Sequence, residues 1–270
     1  MQDAMADQNI SVLPTPVWLT CGDGGLMLDF QGFRAMLTGT LRHIESDLAS
    51  QMARSFAQLA EDKRASGALP GLTDIVPALS TVLFRYDPTC QSQAAIKAQL
   101  SLLLDQIETT RSGTGRCWQM PCLYGGKGGP DLAEVAARTK LSETEVIQRH
   151  QESDLMVATM GFLPGNGYLT GLDPSLYLPR RSAPRTHITA GTVAIAMDQS
   201  VIYPMDSPGG WNLLGRTPIR LFDQARTEAV LFRAGDKVQF MAISQADFEA
   251  IEKRVAAGEL GLEMLEAKND

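Results

Sequence analysis

The chain has 270 residues, of which 44% are hydrophobic and 6% aromatic, so it can bury a substantial core and is expected to form two domains. Its formal net charge of −7 argues against a protein that binds nucleic acid or anionic membranes. The stretch Met1–Gln8 lacks the basic start and apolar run of a signal peptide, and no apolar run approaches the roughly 18 residues that cross a bilayer. We therefore expect a cytoplasmic protein with no nucleic-acid or membrane partner.

Cysteine and histidine are scarce in this chain. The four cysteines form no Cys-x-x-Cys pair, and there are three histidines. Structural zinc requires four ligands at tight spacing, so we expect no metal site.

The first 124 residues alternate short strand and helix patterns. Strand-like runs at 10–13 and 26–30 flank a glycine turn, and apolar residues at spacings of three and four predict a helix from Leu37 to Leu59. Two strands hinged near Pro77, a helix at 95–107 and a strand at 117–124 follow. The order β-β-α-β-β-α-β predicts a ferredoxin-like α/β sandwich over residues 1–124.

Residues 125–155 predict a helical bridge, because one short helix begins near Pro130 and Ser142–Glu145 is a capping box for a second. Beyond residue 156, short β-branched runs alternate with glycine and proline turns, and we predict strands at 186–189, 192–195, 201–203, 219–222, 229–232 and 238–243. This pattern favours an all-β barrel or sandwich over 156–270, closed by a C-terminal helix. The predicted class is α+β.

The segment 161–217 is the first place to look for function. It holds eight glycines, six prolines, four arginines and no lysine. Proline fixes φ and glycine opens positive φ, so such a segment is shaped rather than flexible. Two functional motifs are not matched. Lys127 lies in a glycine-rich turn but is followed by Gly128, whereas a phosphate-binding P-loop has Ser or Thr there. Ser207 lacks the Gly-x-Ser-x-Gly context of a hydrolase nucleophile.

Several residues in and before this segment are candidates for chemistry. His150 lies on the apolar side of its helix, where it is either a proton-transfer group or a buried structural histidine. Guanidinium groups suit carboxylates and phosphates, although at least two of the four arginines are expected only to anchor loops. We predict catalytic roles for His150, Arg181 and Gln199. The predicted substrate-binding residues are Pro164, Gly165, Asn166, Tyr168, Arg180, Arg185, Tyr203, Ser207, Gly209 and Gly210.

These motifs resemble a known family, the KipI-like proteins, which include allophanate hydrolase subunit 1 and PxpB, the B subunit of 5-oxoprolinase. The resemblance runs in order over about nine-tenths of the chain. Its most specific stretches are Glu145–His150, Gly161–Gly165, Tyr168–Asp173, Pro179–Arg181, Ile202–Pro204, Ser207–Trp211 and Leu214–Pro218.

The resemblance implies a ferredoxin-like domain followed by a cyclophilin-like β-barrel. It implies a KipA/PxpC-like partner and a LamB/YcsF-like subunit, which together open 5-oxoproline in an ATP-dependent reaction, so ATP would act at the level of the complex. Paired domains similar to these form the carboxyltransferase part of urea carboxylase. The chain has no biotinyl-lysine motif, so biotin is not expected on it.

Two departures from the family pattern bear on the substrate. Gly165-Asn166-Gly167-Tyr168 stands where the family usually has Gly-Phe-Pro-Tyr, and Met197-Asp198 stands where it usually has two glycines. We predict a subunit of an ATP-dependent 5-oxoprolinase or of a related lactam or amide hydrolase. The alternatives are a KipI-like inhibitor of a sensor histidine kinase and a carboxyltransferase half-site of a biotin-dependent enzyme.

Overall fold

A computed structural model describes residues 16–30, 41–107, 115–259 and 265 of the chain. It divides the chain into two compact units, Met1–Arg111 and Ser112–Asp270. The predicted strand at 10–13 lies outside the described residues. Within the described ranges, no helix combines the length and apolar character that a membrane-spanning segment requires.

The first unit is an antiparallel four-stranded sheet with two helices. The elements are β1 (Val17–Thr20), β2 (Gly25–Asp29), α1 (Leu41–Ala65), β3 (Leu72–Ala78), β4 (Thr81–Tyr86) and α2 (Gln93–Leu104), with the strands in the order β1-β2-β4-β3. Its core gathers buried side chains from the sheet and both helices, such as Leu28, Phe56, Phe84 and Leu100.

The two strands predicted around Pro77 are present, but the turn falls later, at Leu79–Ser80. Pro77 lies inside β3, which is an edge strand, where a residue without an N–H is tolerated. The ferredoxin-like name for this unit stays a prediction.

The second unit is built around a closed barrel of seven strands. Its elements are β5 (Cys117–Tyr124), α3 (Leu132–Thr139), α4 (Glu143–Glu152), β6 (Leu155–Met160), β7 (Gly167–Thr170), a 3-10 helix (Pro174–Leu176), β8 (Arg185–Ile188), β9 (Thr192–Ala196), β10 (Gln199–Ile202), β11 (Ser207–Gly209), β12 (Asn212–Arg216), β13 (Lys237–Ala242) and α5 (Gln245–Ala256). The barrel order is β10-β7-β6-β13-β5-β12-β9, while β8 and β11 form a separate two-stranded sheet.

The strand at 117–124 belongs to this barrel and not to the first unit, where the sequence pattern placed it. β5 pairs in parallel with β13 over six residues and antiparallel with β12. Its partners lie about 90 to 120 residues later in the chain, so local periodicity could not assign it. The boundary predicted at residue 124 therefore moves to residue 111.

Of the remaining predictions for the second unit, some are confirmed and some are wrong. The capping box at Ser142 and Glu145 and the C-terminal helix are confirmed. The strands predicted at 219–222 and 229–232 are wrong, since these runs meet only at an isolated bridge between Phe222 and Val230. Their apolar side chains, including Leu221 and Phe232, instead fill the barrel core.

Candidate functional site

Alternate residues of β7, β9 and β10 face opposite sides of the barrel wall, as the period of two in a strand requires. Leu169, Val193, Ile195 and Ile202 pack in the main barrel core. Their sequence neighbours form a second, separate cluster on the outer face of the wall, made of Ala194, Ala196, Val201 and Tyr203, with Tyr168 packed against it. The sheet therefore presents two environments, an inner and an outer one.

The outer face is covered by the two-stranded β8/β11 sheet and the residues after β11. Ile188 and Trp211 are buried in the same cluster as Tyr203. A side-chain carbon at Gly209 would overlap the Tyr203 hydroxyl, so the close packing requires glycine at this position. Burial raises the pKa of Tyr203 to about 12, against the opposing charges of Arg180 and Arg185. The Tyr203 hydroxyl is therefore a protonated donor near neutral pH.

Arg180 lies over this cluster, with its guanidinium group against the Trp211 ring. Its guanidinium carbon lies 5.4 Å from the centroid of the Trp211 ring, which in turn lies 6.2 Å from the Tyr168 ring. Among the described residues, no carboxylate lies within ion-pair distance of Arg180. An exposed cation stacked on a tryptophan is held in place while its N–H groups stay available to a ligand.

Arg185 and Arg181 converge on one buried carboxylate, Asp131. Its Oδ1 atom accepts from Arg185 Nη2 at 2.6 Å and from Arg181 Nη1 at 3.3 Å, and its Oδ2 atom accepts from the backbone N–H of Leu213 at 2.8 Å. Arg181 also bonds Glu134 at 2.8 Å. Both acidic partners of Arg181 belong to the protein itself, so this residue, which was predicted to be catalytic, has the surroundings of a structural anchor. These contacts agree with the expectation that some of the arginines only anchor loops.

Two polar atoms on the β8/β11 sheet have no hydrogen-bond partner among the described residues. They are Ser207 Oγ and Arg185 Nη1, and both are buried. In the register of this sheet, Ser207 lies opposite Ile188 and Gly209 lies opposite Arg185. We define the outer-face cluster as Tyr168, Arg180, Arg185, Tyr203, Ser207, Gly209 and Trp211.

His150 lies inside the barrel, away from the outer-face cluster. Its side chain is completely buried, with Nδ1 2.7 Å from the Tyr124 hydroxyl and Nε2 3.0 Å from Ser200 Oγ. Phe240 packs against the imidazole at a ring-centroid distance of 4.6 Å. Ser200 Oγ also lies 3.3 Å from the Ala194 carbonyl, which can only accept. The pattern is satisfied when Nε2 carries the proton and Nδ1 accepts from Tyr124.

Burial decides the ionisation of this interior network. It lowers the pKa of His150 to about 3 and raises the pKa values of Tyr124 and Cys122 well above their ordinary ranges. All three side chains are therefore neutral near pH 7. Because the imidazole is buried and both of its nitrogens already have side-chain partners, the geometry favours the structural interpretation of His150 over direct proton transfer.

The loop 161–166 joins β6 to β7 and holds three predicted substrate-binding residues, Pro164, Gly165 and Asn166. Asn166 is buried and closes the loop, since its side-chain amide donates to the Gly161 carbonyl at 3.0 Å. Gly165 has φ of +82° and lies against Leu221. The side-chain amide of Asn166 therefore forms a hydrogen bond within the loop, which favours a structural role over the predicted contact with substrate.

Gln199 is the first residue of β10 and lies opposite Thr170 and Ala196. By alternation it faces the same side as Val201 and Tyr203, whereas Ser200 faces His150. It follows the turn at Met197-Asp198, where Met197 has a left-handed φ of +57° and is 57% exposed. Gly210, the last predicted site residue, uses its carbonyl to accept from the Arg181 backbone N–H at 2.7 Å.

Sequence reasoning missed two buried polar residues that organise the site, Asp131 and Asn212. Asn212 has no exposed surface, and its amide donates to the carbonyls of Pro179 and Ile195 at 3.2 and 3.1 Å. It fixes the segment that carries Arg180 and Arg181 to the barrel wall. One signal was available, because arginines concentrated in a lysine-free segment commonly pair with carboxylates, and Asp131 is an acidic residue at the start of α3.

Comparison with known proteins agrees with this architecture. The family model described as "Carboxyltransferase domain, subdomain C and D" matches residues 27–232. The chain is 36% identical over 195 residues to the B subunit of 5-oxoprolinase from Bacillus subtilis (strain 168), which covers 67% of this chain and 80% of the relative. It is 39% identical over 175 residues to the B subunit of 5-oxoprolinase from Escherichia coli O157:H7, and this alignment covers 64% of this chain and 79% of the relative.

Solved structures show the same fold. The crystal structure of TTHA0988 is 34% identical with a TM-score of 0.65, covering 82% of this chain and 40% of that one. The chain thus spans less than half the length of that protein. The Kluyveromyces lactis urea carboxylase has a TM-score of 0.66 at 18% identity, covering 92% of this chain and 23% of that one, and supports the fold alone.

The closed barrel and the α/β unit before it have the fold of a carboxyltransferase domain. The match over residues 27–232, together with the curated relatives, places the chain in the carboxyltransferase subdomain C and D family, to which the KipI-like B subunits of 5-oxoprolinase belong.

Proposed function

We propose that this chain is the PxpB-like component of an ATP-dependent 5-oxoprolinase, or of a related lactam or amide hydrolase complex. The observation that carries the proposal is the identity of 36% and 39% to two curated relatives that are both named as the B subunit of 5-oxoprolinase. Their designation as a subunit supports an assembly of several chains. We propose a KipA/PxpC-like chain and a LamB/YcsF-like chain as the partners.

The outer-face cluster supports a role for this chain in binding the substrate. Opening a lactam requires that the ring be held while its carbonyl is polarised by positioned donors. Arg180, the Tyr203 hydroxyl and the buried Ser207 hydroxyl supply donors beside the apolar surface of Trp211. A catalytic proton shuttle at His150 has no geometric support, since the imidazole is enclosed by the barrel. We therefore assign binding and orientation to this chain and the ATP-dependent step to the assembly.

The experiment is to co-express the chain with its KipA-like and LamB/YcsF-like neighbours, purify the complex, and measure ATP hydrolysis with and without 5-oxoproline. We expect lactam-dependent hydrolysis that is lost when this chain is omitted. A panel of other cyclic lactams and small amides distinguishes 5-oxoproline from a related substrate. Hydrolysis that no lactam or amide stimulates, or that continues at the same rate without this chain, would contradict the proposal.

A further inference from the structure

Ser207 Oγ and Arg185 Nη1 of the outer-face cluster could both donate a hydrogen bond to a bound ligand. Ser207 is only 8% exposed, and neither its hydroxyl nor Arg185 Nη1 has a hydrogen-bond partner among the described residues. Leaving a buried polar group unpaired is unfavourable, and each such group requires an explanation, of which a bound ligand is one. Arg185 Nη1 can only donate and the Ser207 hydroxyl can donate as well as accept, so one bound acceptor would satisfy both atoms.

These two atoms lie among the polar and aromatic side chains of the outer-face cluster. Ser207 and Gly209 lie on the short strand β11, opposite Ile188 and Arg185 of β8. The absent side chain at Gly209 leaves room for the Tyr203 hydroxyl, which lies close enough to Arg180 and Arg185 for both charges to affect its pKa. Trp211 and Tyr168 form an aromatic wall beside Arg180. The outer-face cluster therefore combines hydrogen-bond donors with aromatic rings.

The charge balance of the cluster favours one kind of acceptor. Asp131 forms ion pairs with Arg181 and Arg185, and Glu134 forms a further ion pair with Arg181. Arg180 pairs with no carboxylate among the described residues, so its positive charge is not compensated. One uncompensated cation with neighbouring hydroxyl donors suits a singly charged, planar carboxylate better than a doubly charged phosphate.

We propose that Arg180, Arg185, Tyr203 and Ser207 form a carboxylate-binding subsite, and that Trp211 and Tyr168 contact the ring of the molecule that carries the carboxylate. Arg180 and Arg185 Nη1 bind the carboxylate oxygens, and the two hydroxyls donate to them. The identification of that molecule as a carboxylated lactam such as 5-oxoproline rests on the proposed function. The subsite itself rests on the unpartnered atoms.

The test measures direct binding to the full chain without partners or ATP. L-5-oxoproline, its neutral carboxamide and inorganic phosphate are titrated at millimolar concentration while the indole N–H resonance of Trp211 is followed by NMR, with Trp211→Phe used for its assignment. We expect the resonance to shift with 5-oxoproline and much less with the carboxamide or phosphate. Arg180→Gln is expected to weaken binding about 10-fold, as is usual for a charge-assisted hydrogen bond.

Ser207→Ala provides the sharper variant. Since its hydroxyl has no hydrogen-bond partner in the described part of the chain, its removal is expected to leave the melting temperature of the free chain unchanged or higher, while binding of 5-oxoproline weakens several-fold. A purely structural serine would lose stability and keep its affinity. Arg220→Gln, at an exposed arginine away from the cluster, is the matched control and should change neither quantity.

The outcomes separate this inference from the proposed function. Carboxylate binding that both variants weaken supports the subsite even if the complex does not hydrolyse ATP with 5-oxoproline. A complex that is active with 5-oxoproline and equally active with Arg180→Gln and Ser207→Ala would overturn the subsite and leave the function standing. Equal shifts with 5-oxoproline and its carboxamide, or no shift at Trp211, would also overturn the subsite.

Discussion

The imidazole of His150 shows how its surroundings set the behaviour of a single residue. The spacing from Val146 and Ile147 already indicated the apolar side of the helix, and the structure buries the ring there completely. Its partners Tyr124 and Ser200 lie 26 and 50 residues away in the chain, so the sequence left two interpretations open. The enclosed position and neutral state of the ring favour a structural polar network within the barrel.

This network predicts a pH dependence of stability. In the unfolded chain the histidine has its ordinary pKa of 6.5, whereas burial lowers the pKa in the folded chain to about 3. As pH falls from 6.5 toward 3, the unfolded state takes up a proton that the folded state does not, so the free energy of unfolding decreases. Between about pH 7.5 and about pH 5 the loss should be about 2 kcal/mol.

Urea denaturation of the parent, His150→Asn and His187→Asn at several pH values checks this prediction. The His150 variant should be less stable near neutrality, because Tyr124 and Ser200 lose their partner, but its stability should decline less as pH falls. His187 is exposed, so its variant should follow the parent. If parent and His150 variant show the same slope against pH, the imidazole is not held neutral.

At the scale of elements, Asp131 connects three parts of the second unit. Its carboxylate joins the start of α3 to the Leu213 backbone in β12 and to Arg185 in β8. The sequence predicted this helix correctly but gave no role to its first acidic residue. Side chains and elements that meet only in the folded barrel could not be paired from local patterns, and the position of β5 was misassigned for the same reason.

We predict that Asp131→Asn destabilises the protein by about 3 kcal/mol, because it leaves two partly buried guanidinium groups without their shared charge. Glu134→Gln is the matched control at the same cluster. Its side chain is 47% exposed, so the change should cost less than about 1 kcal/mol. Chemical denaturation of both variants measures the difference. Equal losses would mean that burial of Asp131 contributes nothing to the strength of its ion pairs.

At the scale of the whole molecule, the placement of β5 determines where the chain can be divided. β5 lies between β12 and β13 in the closed barrel. Without it, both neighbours would expose unpaired strand edges and the core would lose Trp118 and Met120. The family match over residues 27–232 spans both units, so family resemblance alone could not locate this boundary.

A fragment of residues 112–270 is therefore expected to fold, with a cooperative thermal transition seen at the same temperature by far- and near-ultraviolet circular dichroism. A fragment of residues 125–270, cut at the boundary predicted from sequence, should show no such transition and should aggregate. The opposite result, a stable shorter fragment, would mean that β5 is dispensable for barrel closure.

The alternation along β10 also limits how this region can change in length during evolution. Ser200 and Ile202 face the interior, and Gln199, Val201 and Tyr203 face outward. An insertion or deletion of one residue in the turn at Met197-Asp198 could shift the register of β10 by one residue. Such a shift would turn Ser200 outward and bring Gln199 or Val201 against His150. Substitutions in this turn, such as those that distinguish this chain from its family, leave the alternation intact. Single-residue length changes there would damage the interior network and the outer-face cluster together.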